Sequence, residues 1–182
     1  MKFIPQRIPD VILIEADVFG DTRGFFMESW HAQKFADAGI PAQFVQDNHS
    51  RSGQGILRGL HYQVCHPQGK LVRVTAGLVY DVVVDMRSSS PHFGQWLGVY
   101  LSAESKHQLW IPPGFAHGFY VLSEDAEFMY KCTDFYAPDC ERAVRWDDPD
   151  LAIAWPLIPG QAPKLSAKDA AAPAFKSAEK LP

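Results

Sequence analysis

Short runs of β-branched and aromatic residues follow one another closely along this chain, and residues typical of turns separate them. Many short strands at this spacing are typical of a β-sandwich, a jelly roll or a barrel. Only residues 30–38 show the pattern of an internal helix, which Gly39 and Pro41 would end. The strands are predicted at 11–14, 25–29, 42–50, 56–63, 70–75, 78–85, 96–101, 107–111, 117–122, 126–133 and 142–145.

Alternation along the predicted strands divides their side chains between two faces. Several of the resulting faces mix polar and apolar groups, which suits a ligand cavity better than a dry core. The mixed faces carry Phe44, Gln46 and Asn48 in one strand, His117, Phe119 and Val121 in another, and Phe128, Tyr130 and Cys132 in a third.

One spacing conflicts with a regular strand. Arg58 and His61 differ by three positions, so a regular strand would direct them to opposite faces. If both reach one pocket, the chain must bulge or twist near Gly59, a residue that permits this.

Composition and charge narrow the class of protein. The chain has 182 residues, 47% hydrophobic and 21% charged, as in ordinary soluble globular proteins. A formal net charge of −4 gives no electrostatic case for binding nucleic acid. No run of 18 apolar residues and no N-terminal signal pattern is present, so we expect no membrane span and no secretion.

Three cysteines occur, at positions 65, 132 and 140. Their number is odd and no CxxC pair exists, which argues against a disulfide scaffold or a zinc knuckle. We therefore expect reduced thiols and a cytoplasmic location.

Motifs spread over nearly the whole chain resemble the dTDP-4-dehydrorhamnose 3,5-epimerase family. They are GDTRGFFME at 20–28, QDN at 46–48, GILRGLHYQ at 55–63, GKLVRV at 69–74, IPPGFAHGF at 111–119, YKCTDFY at 130–136, WDDP at 146–149 and LSAKD at 165–169. The resemblance implies an all-β, cupin-like jelly roll (a double-stranded β-helix) with a few short peripheral helices, assembled as a homodimer. We expect one domain over 1–182, with a core at about 40–146. The N-terminal strands 1–39 and the C-terminal segment 147–182, in which Ser166 would cap a helix, would pack on that core.

The family reaction inverts C3 and C5 of dTDP-4-dehydro-6-deoxy-D-glucose through an enolate. It needs a base, an acid on the opposite face and a donor for the enolate oxygen. The resemblance assigns the base to His61, whose imidazole titrates near neutral pH, and its partner carboxylate to Asp169. It assigns the acid to Tyr130 and the enolate donor to Lys70. Without the resemblance, a core histidine and a packed tyrosine would be the more common interpretations.

Nucleotide binding requires cations for two phosphates and a flat surface for thymine. Arg23 and Arg58 suit the phosphates, because guanidinium groups match phosphate oxygens. For each residue assigned here, the alternative is a surface charge or a packed aromatic side chain. The resemblance further assigns to the ligand Glu28 (a thymine or ribose acceptor), Gln46, Asn48, His117, Tyr136 (stacking on thymine), Glu141 and Lys168.

We expect no metal and no redox cofactor. In many cupins two histidines, a glutamate and a third histidine hold a divalent ion, but here Gln63 replaces the second histidine. Lys70 falls near the glutamate position, and an ammonium opposes metal binding. Three alternatives remain: a mono-epimerase on a related nucleotide ketosugar, a metal-dependent cupin enzyme and a non-catalytic sugar-binding module.

Overall fold

The computed structural model of the protein describes residues 1–40 and 43–182. Its helices are α1 (Ala32–Asp37) and α2 (Ala167–Ala170), and a short 3₁₀ turn spans Pro138–Cys140. Its strands are β1 (Lys2–Pro5), β2 (Ile12–Glu15), β3 (Val18–Asp21), β4 (Gly24–Met27), β5 (Gln46–Gly53), β6 (Leu57–Gln63), β7 (Lys70–Ala76), β8 (Leu78–Asp85), β9 (Trp96–Ser102), β10 (Gln108–Ile111), β11 (Phe115–Val121), β12 (Asp125–Cys132) and β13 (Glu141–Ala143).

Two antiparallel sheets form the body of the fold. One has six strands in the order β1-β2-β10-β7-β12-β5, and the other has five in the order β13-β6-β11-β8-β9. Strands that follow one another in sequence pass from one sheet to the other, for example from β5 to β6 and from β11 to β12. This arrangement confirms the predicted all-β jelly roll.

The core lies between the two sheets. Alternation along each strand directs one set of apolar side chains inward, and this set includes Leu109 and Phe128 from the larger sheet. Val83 and Phe119 contribute from the smaller sheet. All four side chains are buried, and two of them, Phe119 and Phe128, also line a cavity that His61 borders.

The terminal segments cover the outer faces of the sheets. Helix α1 places Phe35 on the outer side of β2 and β10, against Ile14 and Trp110. On the other sheet, Leu151 and Leu181 from the C-terminal segment pack with the outward side chains of β6, β8 and β11. The six residues of α1 and the four of α2 make both helices too short to cross a membrane, and the described chain contains no other α-helix.

Strands β3 and β4 form a separate two-stranded hairpin with Thr22 and Arg23 at its turn. Phe19, Phe25 and Phe26 are 67%, 62% and 70% exposed on it. An isolated hairpin is only marginally stable, and exposed apolar side chains in one patch usually mark a contact surface.

The structure also differs from the sequence-based expectations. Strands β1 and β3 were not predicted, because each has only four residues and lacks a long β-branched run. The predicted end of the helix at Pro41 and the predicted start of a strand at Ala42 lie outside the described residues. The expectation of reduced thiols is wrong for Cys65 and Cys140, which form a disulfide. Their separation of 75 residues hid the pairing, because only the fold brings β6 and the turn before β13 together.

Candidate active site

A cavity of about 450 Å³ opens between the two sheets. Strands from both sheets and the C-terminal segment before α2 form its walls. Its lining consists of Ser50, Ile56, Leu57, Arg58, His61, Lys70, His117, Gly118, Phe119, Phe128, Tyr130, Lys164, Leu165, Ser166 and Asp169. All four residues predicted to be catalytic are among them.

His61 on β6 is paired with Asp169 on α2. Its Nε2 atom lies 2.5 Å from Asp169 Oδ1, and the aspartate is only 3% exposed. Ser166 caps α2 as predicted, because its hydroxyl accepts from the Asp169 N–H at 3.0 Å, and it also donates to Asp169 Oδ2 at 2.8 Å. Burial alone would raise the pKa of Asp169, but the hydrogen bonds from His61 and Ser166 outweigh it and lower that pKa. The ionised carboxylate therefore accepts a hydrogen bond from the Nε2–H group, which leaves Nδ1 as the basic nitrogen of the ring.

A bulge at Gly59 brings Arg58 and His61 into the same cavity. His61 lies opposite His117 on β11, whereas Arg58 lies opposite Phe119, so β6 holds one extra residue in this stretch. Gly59 has φ +112°, and a Cβ atom there would lie 2.5 Å from Gly118 Cα. The predicted irregularity is confirmed, and only glycine fits its position.

Tyr130 and Lys70 lie on the facing sheet. Tyr130 projects from β12, and the Nζ atom of Lys70 on β7 lies 6.0 Å from the centre of its ring. Burial, with smaller contributions from Cys132 and Glu141, raises the pKa of the Tyr130 phenol, so it stays protonated at neutral pH. Burial lowers the pKa of Lys70, although the anions around it partly oppose this.

A buried carboxylate lies behind the cavity wall. Asp81 on β8 is fully buried, and its Oδ2 atom lies 2.9 Å from Nε2 of His117. Its Oδ1 atom is the one buried side-chain oxygen or nitrogen of the described chain without a hydrogen-bond partner. Burial raises the pKa of Asp81, and His117 and Lys70 oppose the shift. The sequence analysis missed this residue, although a lone aspartate within the apolar run LVYDVVVD is a usable signal.

The floor of the cavity is a stack of two aromatic rings. Phe119 on β11 and Phe128 on β12 stack with their centres 4.3 Å apart and their planes 11° from parallel. Because each ring comes from a different sheet, the stack bridges the two sheets directly beneath the cavity.

Four residues predicted to bind the nucleotide form one hydrogen-bonded chain. Gln46 Oε1 accepts from the Tyr136 N–H at 2.9 Å, and the Tyr136 hydroxyl donates to Glu141 at 2.6 Å. Lys168 also donates to Glu141. These cationic and hydroxyl donors lower the pKa of Glu141 despite its burial. The Tyr136 ring is 51% exposed and available for stacking.

Two other predicted contacts lie at the cavity or near it. His117 lines it directly and packs parallel to Phe128. Asn48 donates to the sulfur of Cys132 and borders a smaller hollow of about 160 Å³, which Tyr130 also lines. Lys164 lines the main cavity and was missed, because it lies in an irregular segment with no motif.

The structure does not bring Arg23 and Glu28 to the cavity of their own chain. The Arg23 side chain is 88% exposed at the hairpin turn and pairs with Asp21. Glu28 pairs with Lys34 at 2.7 Å. Neither residue is among those that line the cavity of about 450 Å³.

The side chains at the cavity do not fit a divalent metal. No three His, Cys, Asp or Glu side chains within residues 1–40 and 43–182 lie close enough together to hold an ion. The Gln63 amide contacts main-chain atoms at 66, 135 and 137. Lys70 presents an amine where a ligand oxygen would be needed.

Comparison with known proteins identifies close relatives. The family model for dTDP-4-dehydrorhamnose 3,5-epimerase matches residues 5–177. The epimerase of that name from Pseudomonas aeruginosa is 60% identical over 100% of both chains. The crystal structure of the Legionella pneumophila dTDP-6-deoxy-D-glucose-3,5-epimerase with dTDP-4-keto-L-rhamnose superposes with a TM-score of 0.93, at 55% identity, covering 97% of this chain and 93% of that one. A 3′-monoepimerase from Streptomyces bikiniensis, in complex with dTDP-quinovose, has 35% identity and a TM-score of 0.88, covering 95% and 87%.

Proposed function

The chain belongs to the dTDP-4-dehydrorhamnose 3,5-epimerase family, and we propose that His61 and Tyr130 carry out the family reaction from opposite walls of its cavity. The enzyme is an isomerase of dTDP-L-rhamnose biosynthesis. It converts dTDP-4-dehydro-6-deoxy-D-glucose to dTDP-4-dehydro-L-rhamnose by inverting C3 and C5. The observation that carries the proposal is that a histidine of one sheet and a tyrosine of the other line one cavity of about 450 Å³.

His61 acts as the base. The C4 ketone makes the hydrogens on C3 and C5 acidic, and Nδ1 of the imidazole removes one of them. Asp169, held ionised by its hydrogen bonds, keeps the ring oriented and stabilises the imidazolium that forms. This assignment requires no metal and no redox cofactor, because the abstraction and return of a proton is the whole reaction.

Lys70 and Tyr130 complete the inversion. As proton abstraction proceeds, negative charge develops on the C4 oxygen, and the Lys70 ammonium stabilises it by about 3 kcal/mol, a usual value for a fixed donor. The Tyr130 phenol, kept protonated by its raised pKa, then delivers a proton to the opposite face of the carbon. With the sugar between the two sheets, His61 and Tyr130 would face it from opposite sides, which is the geometry that inversion needs.

The nucleotide extends from the cavity toward the hydrogen-bonded chain of Gln46, Tyr136, Glu141 and Lys168. We assign the diphosphate to the cationic side chains at and beside the cavity. Two of these, Arg58 and Lys164, line the cavity itself. Thymine would stack on the exposed Tyr136 ring. His117 and Asn48 supply further polar contacts to the ligand.

We infer that the enzyme is a homodimer in which the β3–β4 hairpin reaches the second subunit. Two observations support this inference. The hairpin exposes Phe19, Phe25 and Phe26, which a second copy of the chain would cover. Arg23 and Glu28, assigned to the nucleotide, lie away from the cavity of their own chain, so a crossing hairpin would supply them to the partner's cavity.

We also propose that residues 1–182 form a single domain. Strands β1 and β2 are part of the six-stranded sheet, and Lys164, Ser166 and Asp169 from the C-terminal segment line the cavity. We infer a cytoplasmic location from the nucleotide-sugar substrate. The Cys65–Cys140 disulfide is more typical of oxidising compartments.

Proton NMR of the ketosugar in heavy water tests the function. We expect deuterium at both C3 and C5, followed by formation of dTDP-L-rhamnose when a rhamnose-forming reductase is added. His61→Ala should nearly abolish exchange while dTDP binding persists. Equal loss of dTDP binding in the His61 and Tyr130 variants would show that these residues pack the cavity and do not catalyse.

A mono-epimerase is the second candidate, favoured by the likeness to the Streptomyces bikiniensis 3′-monoepimerase. The same NMR experiment decides between them, because deuterium at one carbon alone would indicate inversion at one centre only.

A further inference from the structure

The Cys65–Cys140 disulfide lies beside the residues assigned to the nucleotide. Cys65 follows strand β6 by two residues, and Cys140 directly precedes Glu141, the first residue of β13. The bridge therefore joins the end of the strand that carries His61 to the end of the segment 133–141, which carries Tyr136. Cys65 is exposed, whereas Cys140 is 8% exposed.

The side-chain amide of Gln63 forms hydrogen bonds to the main chain of the same segment. Its side chain is 4% exposed, and its Oε1 atom accepts from the Ala137 N–H at 2.9 Å. Its Nε2 atom donates to the carbonyls of Phe135 at 3.3 Å and His66 at 2.7 Å. The amide thus binds the main chain on both sides of Tyr136 and also the turn that follows Cys65. A buried amide satisfied in this way holds main-chain groups that would otherwise lose their partners.

We propose that the Cys65–Cys140 disulfide and Gln63 are positioning elements that hold the segment 133–141 in its nucleotide-binding conformation, and that reduction of the disulfide weakens nucleotide binding. The inference rests on the proposed role of Tyr136 and Glu141 in contacting the nucleotide. With the bridge intact, the Tyr136 ring and the Glu141 carboxylate are held before the ligand arrives. Preorganisation of this kind reduces the ordering cost that binding would otherwise carry.

The redox step requires a dithiol reductant. A reductant thiolate attacks the exposed Cys65 sulfur, the S–S bond breaks, and Cys140 leaves as a thiolate that takes up a proton. The second thiol of the reductant then closes its own disulfide and releases Cys65 as a thiol. Two electrons and two protons pass from the dithiol to the protein, and the free thiol of Cys132 takes no part.

Thiol titration and dTDP binding test the proposal directly. The denatured, unreduced protein should show one thiol and the reduced protein three, in line with one disulfide and one free cysteine. We expect reduction by dithiothreitol to weaken dTDP binding about fivefold, the cost of ordering one or two side chains on binding. The double variant Cys65→Ser/Cys140→Ser should bind dTDP as weakly as the reduced protein does, and dithiothreitol should not change its affinity. Three thiols before reduction, or equal binding before and after it, would overturn the proposal.

Kinetics separate positioning from a general loss of structure. Reduction should raise KM for the ketosugar about fivefold with kcat nearly unchanged, because His61 and Tyr130 lie on sheet strands outside the segment. Gln63→Leu should raise KM in both redox states. If the Gln63→Leu protein folds poorly, the single variant Cys65→Ser, at an exposed position, gives a second test. A fall in kcat with unchanged KM would refute the assignment. If no form turns over the ketosugar but dTDP binding still responds to reduction, the proposed function fails and this inference stands.

Discussion

The Nε2 atom of His61 lies 2.5 Å from Oδ1 of Asp169, although 108 residues separate the two in sequence. The contact joins a strand of the sheet to a four-residue helix near the C-terminal end of the chain. It determines which ring nitrogen is protonated, and it makes the C-terminal segment part of the candidate active site.

Asp169→Asn should lower kcat about 10⁴-fold, the scale of loss when a histidine base is deprived of its orienting carboxylate. The neutral amide can neither hold the required tautomer nor stabilise the imidazolium. Steady-state kinetics and dTDP titration measure the effect, and dTDP binding should be retained. Asp147→Asn, on a surface pair with Arg145, is the matched control. A variant that keeps wild-type kcat would remove Asp169 from the mechanism.

Tyr130→Phe should reduce inversion by about 10²- to 10⁴-fold, the usual contribution of a general acid. The packing of the ring is conserved and only the proton donor is lost, so dTDP binding should persist. The measurement is product formation by NMR, and Tyr100→Phe on an exposed strand position serves as control. Normal inversion by the variant would mean that the proton comes from another group.

The alkaline limit of activity should reflect Lys70. Burial lowers the pKa of its ammonium from the ordinary value of 10.5, so the required charged form is lost as pH rises through a value below 10.5. Cys132, Asp81 and Glu141 act on the Lys70 ammonium electrostatically, and the Tyr130 ring centre lies 6.0 Å from its Nζ atom. His117 lines the same cavity. Burial raises the pKa of both the Tyr130 phenol and the Cys132 thiol.

Asp81→Asn removes a buried anion that favours the Lys70 ammonium, so the alkaline limb of kcat should move to lower pH. Lys70→Arg, whose charge persists at all accessible pH values, should move the limb of any residual activity upward. The exposed variant Asp47→Asn is the control for general charge effects. A limb that stays in place in Asp81→Asn would separate Asp81 from the titration of Lys70.

Gly59→Ala should destabilise the fold by roughly 2–5 kcal/mol, because overpacking and a strained φ act together. The added Cβ atom would lie 2.5 Å from Gly118 Cα and 2.6 Å from the His117 carbonyl oxygen, both backbone atoms of a central strand. Gly160→Ala, at φ +75° with open space around it, isolates the strain alone, about 1 kcal/mol. Chemical denaturation measures the free energy of unfolding of both variants. Equal losses of stability would mean that the close contact of the Gly59→Ala side chain with β11 is easily relieved.

Mixing two impaired variants tests the crossing of the hairpin. Arg23→Ala and His61→Ala homodimers should each be weak at low substrate concentration. If Arg23 acts in the partner's cavity, a mixed dimer regains one intact cavity with His61 and Arg23 both present. Random reassembly of equal amounts should then restore about a quarter of wild-type activity. No recovery after verified subunit exchange would place Arg23 in its own subunit's site or outside the mechanism.

Much of the β architecture could be predicted from sequence, because β-branched runs and turn residues act locally. The strand β8 was predicted with the bounds that the structure has. The irregularity at Gly59 followed from the spacing of Arg58 and His61 together with the expectation that both reach one pocket. Strand β1 escaped, since its pairing with β2 carries little local signal.

The candidate site was less accessible to sequence reasoning. No periodicity connects Asp169 to His61, and only the family resemblance linked them before the structure did. The Cys65–Cys140 bridge and the contacts of Gln63 depend on how the segment 133–141 folds back over β6. The roles of Arg23 and Glu28 depend on how two chains would assemble, because the fold of one chain leaves both residues away from its own cavity.

The stacked rings of Phe119 and Phe128 line the cavity, and we expect them to limit how deep a sugar can sit between His61 and Tyr130. Phe119→Leu should lengthen the pocket from below and keep Phe128, the ring that packs against His117 and Tyr130. We expect substrates with a C5 substituent bulkier than methyl to gain room in such a variant, so Phe119 is the place to begin when redesigning the enzyme to make unnatural deoxysugars.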